Sequence, residues 1–336
     1  MKKALLWEKK EKQKVKCFLC AHGCLISPGK RGICGVRENR EGLLYSLVYG
    51  LLIAQNVDPI EKKPLFHVYP GSLSYSIATV GCNFKCSFCQ NADISQSVAD
   101  HNRITGREVS PETVVQSAMA ARCKSIAYTY TEPTIFYEYA LDVARLAFNE
   151  SMINVFVSNG YMSSECLDGI SPYLAAANVD LKSFRDKYYK EQCKARLQPV
   201  LDSLKKMKEL GVWVEVTTLL IPGLNDSDEE LRDIARFLLE LGPETPWHIS
   251  RFWPTYKLTD VPPTPVRSVQ HAREIGLEEG LHFVYTGNLP GDEGEKTYCP
   301  VCKTVLIDRA GYTIHGNNIV GGECSACGHK VPGLGV

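Results

Sequence analysis

Val80-Gly81-Cys82-Asn83-Phe84-Lys85-Cys86-Ser87-Phe88-Cys89-Gln90-Asn91 carries three cysteines at the spacing C-x3-C-x2-C. The stretch follows a β-like apolar run, Tyr75–Val80. Three thiols on one short loop can each ligate a different iron of a cubane cluster. A [4Fe–4S] cluster ordinarily takes four thiolates, so three leave one iron open to a small molecule. Zinc bound by three cysteines and a histidine is the competing reading, with His101 the nearest downstream histidine.

Outward from this loop, the chain holds 14 cysteines in 336 residues, and most are grouped. Cys17, Cys20, Cys24 and Cys34 form an N-terminal group, and Cys299, Cys302, Cys324 and Cys327 a C-terminal one. Cys123, Cys166 and Cys193 stand alone and read as buried small hydrophobes. Lysine plus arginine equals aspartate plus glutamate at 38 each, which gives no bulk attraction to nucleic acid or an anionic membrane. No apolar run reaches the roughly 18–20 residues of a membrane span. The basic start, MKKALLWEKKEKQKVK, has too short an apolar stretch for a signal peptide and reads as a frayed or helical lead-in. The expectation is a cytoplasmic protein with reduced thiols acting as metal ligands rather than disulfides.

The middle of the chain alternates β-like and helical patterns. Strand-like runs are Tyr75–Val80, Ser125–Tyr130, Asn154–Ser158, Asn178–Leu181, Trp213–Leu220, Ile249–Trp253 and Phe283–Thr286. Between them, Ser110 with Pro111 reads as a helix start, Ser227 with Glu230 as a capping box, and Thr264-Pro265 as another start. Thr134–Asn149 has helical spacing. Alternating units imply a parallel sheet, hence an α/β fold with a partial or complete (β/α) TIM-like barrel. Chemistry in such barrels collects at the C-terminal strand ends. Those ends here include Thr131-Glu132-Pro133, Ser158-Asn159-Gly160 and Asp180-Leu181-Lys182. Three segments are expected: a cysteine-rich metal-binding segment over 1–70, the barrel over 71–290, and a zinc-ribbon-like module over 291–336. Gly287–Glu295 reads as the linker into the last.

The cysteine loop, with an aromatic residue before its last cysteine, resembles the signature of radical S-adenosylmethionine (SAM) enzymes. The chain is similar to the pyruvate formate-lyase activating enzymes and, more fully, to the AmmeMemoRadiSam system radical SAM proteins. The matching stretches are 17–39, 58–71, 79–96, 128–139, 248–258 and 297–312, which cover most of the chain. The resemblance implies that Cys82, Cys86 and Cys89 hold a [4Fe–4S] cluster whose open iron binds SAM. One-electron reduction then yields methionine and a 5′-deoxyadenosyl radical that abstracts hydrogen from a substrate, as suits an anaerobic oxidoreductase. It also implies a donor such as flavodoxin or ferredoxin. The substrate is either a protein, in the manner of glycyl-radical activases, or a small molecule, and a Memo-like or AMMECR-like protein is a candidate partner.

Carried over residue by residue, Phe88 and Asn91 flank the cluster. Glu132 stands where the family has a glycine-glycine-glutamate motif, although both glycines are missing here. It is expected near the SAM amino group, or else as an acid at a helix start. Ser158 and Asn159 match the third strand end, with Asn159 facing ribose or methionine. Asp180 and Lys182 match an Asp-Leu-Lys run and would meet the SAM ribose and carboxylate, or else form an ordinary ion pair. His248 and Arg251 on a late strand would face the substrate, although a lone strand histidine is commonly a satisfied core residue. Tyr128, Tyr130 and Tyr285 read as barrel filling.

Cys299-x2-Cys302 and Cys324-x2-Cys327 read as the knuckles of a zinc ribbon or a rubredoxin-like iron site, with strands at Val305–Ile307 and Tyr312–Ile314 around an Arg309-Ala310-Gly311 turn. The N-terminal C-x2-C-x3-C-x9-C group reads as zinc or an auxiliary [4Fe–4S] cluster, with zinc preferred and His22 a competing ligand. Two other classes remain alongside the enzyme: a non-catalytic iron–sulfur electron carrier, which would favour four cysteines per cluster, and a zinc-ribbon protein that binds or modifies RNA. Nucleic acid is disfavoured by the neutral charge balance.

Overall fold

The computed structural model describes residues 1–336. An eight-stranded sheet forms its centre. In chain order the strands are β1 (Ala54–Pro59), β2 (Leu73–Ala78), β3 (Ser125–Tyr128), β4 (Ile153–Ser158), β5 (Leu174–Asp180), β6 (Trp213–Leu220), β7 (Trp247–Arg251) and β8 (Val284–Gly287). β2 to β8 lie side by side in sequence order, and all run parallel. β1 pairs antiparallel with β2, and the β1 and β8 edges do not meet, so the barrel is partial. No helix is long and apolar enough to cross a membrane.

Helices α1 (Pro111–Ala120), α2 (Tyr137–Asn149), α3 (Ser164–Ile170), α4 (Gln198–Glu209), α5 (Asp228–Leu241) and α6 (Val266–Glu278) connect the parallel strands. Two starts follow the sequence: Ser110 Oγ accepts from Thr113 N at 3.2 Å, and Ser227 Oγ from Glu230 N at 3.4 Å. At the second of these the Glu230 carboxylate closes no reciprocal box; it accepts from the Ser183 hydroxyl and from Phe184 N at 2.8 Å, tying α5 to the end of β5. The start at Thr264-Pro265 also holds, with α6 beginning at Val266, while the Thr264 hydroxyl donates to Leu220 O and accepts from Phe252 N instead of capping the helix.

The lower interior of the barrel is filled from outside the β/α units. Ala127, Val155 and Ala176 are small inward residues, and into the room they leave fit Ile60, Leu65 and Val68, all fully buried. Burying three such side chains contributes roughly 1.5–3 kcal/mol each. The plug is also bonded in place. Glu215 on β6 accepts from Phe66 N at 2.9 Å, His67 N at 2.8 Å, Trp213 Nε1 at 3.1 Å and His248 Nε2 at 2.7 Å. Asn178 on β5 donates to Pro64 O at 2.8 Å. The expected boundary at residue 70 therefore falls within the sheet domain, because β1 and the plug both precede it.

The C-terminal module is a three-stranded sheet of Thr297–Tyr298, Val305–Ala310 and Thr313–Asn317. Arg309, expected in its turn, lies in a strand and is 1 % exposed. Its guanidinium sits 3.9 Å from the Phe66 ring centroid and donates to Glu295 O at 2.9 Å, which clamps the module onto the plug. The stretch expected as a linker is ordered by its own side chains: Asp292 accepts from Thr286 Oγ1 and Gly294 N, both at 2.8 Å, and Glu295 accepts from Gly311 N at 3.0 Å. The N-terminal lead-in is extended, not helical. Lys2–Lys3 pairs with Leu43–Ser46, and Trp7–Lys9 pairs with Val15–Cys17.

Candidate active site

The cysteine loop leaves β2 through Gly81, whose φ of +100° requires glycine. A side chain there would meet Val36 Cγ1 at 2.9 Å and Cys34 O at 3.4 Å, so the N-terminal segment presses directly on the loop. Lys85 N donates to Cys193 O at 2.9 Å and Ser87 N to Gln192 O at 3.0 Å, docking the loop on the segment Tyr189–Cys193. His22 Nε2 donates to Asn83 O at 2.8 Å from the opposite side.

Cys82, Cys86 and Cys89 all line one cavity of about 630 Å³ at the C-terminal strand ends. No other cysteine lines it. Cys82 Sγ accepts from Phe84 N at 3.4 Å, and Cys89 Sγ lies 3.0 Å from Ser95 Oγ. Cys86 has a neighbour that the sequence did not reveal: the buried thiol of Cys193, on the segment that docks the loop. Burial raises the Cys82 and Cys89 thiols, and for Cys86 the Cys193 thiol and then burial do the same. Bound cationic metal would reverse this, because coordination deprotonates a thiol outright. The three sulfurs are not drawn to single-ion spacing. The C-terminal group is the one set of three or more Cys, His, Asp or Glu residues whose ligand atoms all lie within 4.8 Å of one another. Three spread thiols facing open space fit a multinuclear cluster better than a zinc ion.

The other expected residues fall into distinct places. Phe88, Asn91, Glu132, Ser158, Asn159, Asp180, Lys182 and His248 line the same cavity. Glu132 is heavily committed: Oε1 accepts from Thr134 N at 3.1 Å, from the Thr134 hydroxyl and from Ser158 Oγ at 2.8 Å, and Oε2 from Asn159 N at 2.8 Å. The carboxylate thus ties two strand ends and starts the short 3₁₀ turn Pro133–Phe136, with one lone-pair position left on Oε2. Burial raises its pKa against those donors. Asn159 Nδ2 donates to Asn83 Oδ1 at 2.7 Å and approaches Cys82 Sγ at 3.8 Å, so it holds the cysteine loop. Asp180 and Lys182 pair at 2.7 Å, with the ammonium 5.8 Å from the Phe88 ring centroid. Burial disfavours the Lys182 charge, yet Asp180 holds its pKa above the usual range. Asn91 Nδ2 donates to Tyr130 O at 2.9 Å. Arg251 does not line the cavity. Its Nε donates to Thr264 O at 2.7 Å and its guanidinium stacks 4.4 Å from the Trp253 ring centroid.

The opposite wall was not anticipated as part of the site. Glu61, Lys62, Lys63, Pro64 and Phe66 of the plug line it, and Tyr312 of the C-terminal module joins them. Asp58 pairs with Lys62 at 2.9 Å and Lys63 at 2.7 Å and accepts from the Tyr130 hydroxyl. Burial opposes the Asp58 charge, but these three groups hold its carboxyl well below the usual range. Lys63, 1 % exposed, is pushed down to about 8 by burial, against the pull of Asp58. Tyr130 sits at φ +62°, in the left-handed region, facing the cavity. The consecutive lysines in DPIEKKP were the available signal, but exposed pairs of this kind are common.

The C-terminal cysteines gather as their spacing requires: Cys299 Sγ lies 3.7 Å from Cys327 Sγ and Cys302 Sγ 3.6 Å from Cys324 Sγ.

The family model of the radical SAM superfamily matches residues 76–238. An uncharacterized protein of Methanocaldococcus jannaschii is 46% identical over 334 residues, 98% of this chain and 99% of that protein. The pyruvate formate-lyase-activating enzyme of Clostridium pasteurianum is 22% identical over 164 residues, 47% of this chain and 66% of that enzyme. Among solved structures, a radical SAM methyltransferase from Sphaerobacter thermophilus superposes with a TM-score of 0.52 at 19% identity, covering 65% of this chain and 67% of that one.

Proposed function

The chain belongs to the radical SAM superfamily, and from that premise we propose that Cys82, Cys86 and Cys89 hold a [4Fe–4S] cluster that binds SAM at its fourth iron. The observation that carries this is the cavity wall: three cysteines face it, and Cys193 does not. Such a cluster, once reduced, supplies the electron that splits the SAM sulfonium into methionine and a carbon radical able to abstract hydrogen. The protein's own residues do the rest. His22 holds the Asn83 carbonyl and Asn159 the Asn83 side chain, so the loop and its thiols keep their places. The last lone pair of Glu132 is available to an ammonium, and Lys182 to a carboxylate. The plug and the module close the far wall against water and stray C–H bonds.

The reading extends to a protein segment as substrate and a low-potential flavodoxin or ferredoxin as donor. Similarity to proteins named as glycyl-radical enzyme activating enzymes, and to one named as a pyruvate formate-lyase-activating enzyme, supports the first part. Anaerobic reconstitution with iron and sulfide, then reduction with SAM present, is expected to yield equal amounts of 5′-deoxyadenosine and methionine. A reconstituted, reduced protein that leaves SAM intact contradicts the proposal. With a deuterated protein partner, deuterium should appear in the 5′-deoxyadenosine; labelling only by small molecules rejects the protein substrate.

A further inference from the structure

The two four-cysteine groups of this chain differ in how closely their sulfurs gather. At the C-terminus all four sulfurs lie within 4.8 Å of one another. A tetrahedral zinc with sulfur bonds of about 2.3 Å demands that closeness. At the N-terminus, Cys17, Cys20, Cys24 and Cys34 line one small cavity, and their sulfurs do not share the single-ion spacing. We propose that this N-terminal site holds an iron–sulfur cluster ligated by all four thiolates, and not the zinc that the sequence alone favoured.

Sulfurs further apart than one ion allows suit a core of several irons and sulfides, whereas one zinc would require the four thiols to draw together. Leu19, Ile26 and Ile135 supply apolar walls beside His22, Thr134 and Arg37. Apolar walls without a guest forfeit dispersion contacts.

The second observation is Arg37. It lines this cavity, is 1 % exposed, and its Nε and Nη1 lack any hydrogen-bond acceptor. Glu138 lies 3.1 Å from Nη1, close enough to offset charge but outside hydrogen-bond geometry. A buried guanidinium with free donors is costly unless a negative acceptor stands before it. A four-thiolate cluster is negatively charged, and its sulfurs accept such hydrogen bonds. Four thiolates also leave no open iron, so this site differs in kind from the three-thiol loop.

The two sites are nevertheless neighbours. Cys20 bridges to Met162 just past the β4 end, His22 bonds Asn83 O, and the Cys34 carbonyl packs on Gly81.

Metal analysis of the full chain tests the proposal independently of SAM chemistry. After anaerobic reconstitution, the wild type is expected to carry about eight irons and one zinc. The Cys82→Ala/Cys86→Ala/Cys89→Ala variant is expected to retain about four irons and four sulfides, with an electron paramagnetic resonance signal that SAM does not alter. Adding Cys17→Ser and Cys24→Ser should remove that iron and leave the zinc. Two zincs and no iron in the triple variant, or about four irons and two zincs in the wild type, overturn the proposal. The wild-type count decides even if the variants fail to fold. Failure of the SAM reading looks different: iron present in full, and no response to SAM in the wild type.

Discussion

Cys86→Ala is expected to lose SAM cleavage by more than about 100-fold, beyond the 10–100-fold cost typical of outer-shell changes at metal sites. Cys86 is the middle thiol of the loop and lines the cavity beside Cys82 and Cys89. Two thiols cannot hold a cubane whose remaining irons have no other protein ligand. Cys193 complicates the substitution in a useful way, because its thiol neighbours Cys86 outside the cavity lining. A thiol there is a candidate to stand in for the missing ligand. The comparison therefore needs Cys86→Ala alone, Cys86→Ala/Cys193→Ala, and Cys123→Ala as a distant control. Loss in the first two with retention in the third agrees with the assignment. Wild-type 5′-deoxyadenosine formation in Cys86→Ala/Cys193→Ala removes Cys86 from the cluster.

Acid is expected to loosen the barrel floor through His67, at a cost of about 3 kcal/mol between neutral pH and pH about 4. The imidazole is 1 % exposed. Its Nδ1 lies 2.8 Å from Pro332 O, and a carbonyl only accepts, so Nδ1 carries the hydrogen; Nε2 then accepts from the Tyr285 hydroxyl at 2.7 Å. Burial pushes its pKa down to about 4, with Glu215 opposing and Arg309 and His248 assisting. The unfolded chain, near the ordinary histidine value of about 6.5, then binds more protons than the folded one across this window. Stability is full above about 6.5 and falls as pH drops toward 4. Glu61 and Glu132, raised by burial, tilt the opposite way in both proteins and cancel in a comparison. Denaturant midpoints over this range should fall more steeply for the wild type than for His67→Gln. Parallel slopes would show that His67 is not neutral in the folded protein.

The parts of the fold legible in the sequence are those governed by local period. Trp213–Leu220 is a strand over the whole expected run, and the other runs fall within a few residues of β2–β5, β7 and β8. The cysteine loop and most of the residues expected around it line the cavity, since a parallel β/α order places strand ends together. What could not be read depends on partners far away in sequence. Glu230 looks like a capping-box acid, yet it bonds Ser183 and Phe184 more than forty residues earlier. Nothing local in Ile60–Val68 says that it fills a barrel whose inward residues are alanine and valine. Asn159 has a side chain suited to ribose, but the nearby Asn83 takes its amide. Glu132 is largely committed for a similar reason: buried amides and hydroxyls at two strand ends need an acceptor, and it is the carboxylate there. Arg251 sits at an outward register of β7, one residue past the inward Ser250.

Diffraction from crystals of the anaerobically reconstituted protein with SAM tests the central claim most directly. The account predicts iron in the loop with the sulfurs of Cys82, Cys86 and Cys89 on three corners and the amino and carboxylate groups of SAM on the fourth. A fourth corner held by Cys193 or any other side chain, or a loop without iron, contradicts it.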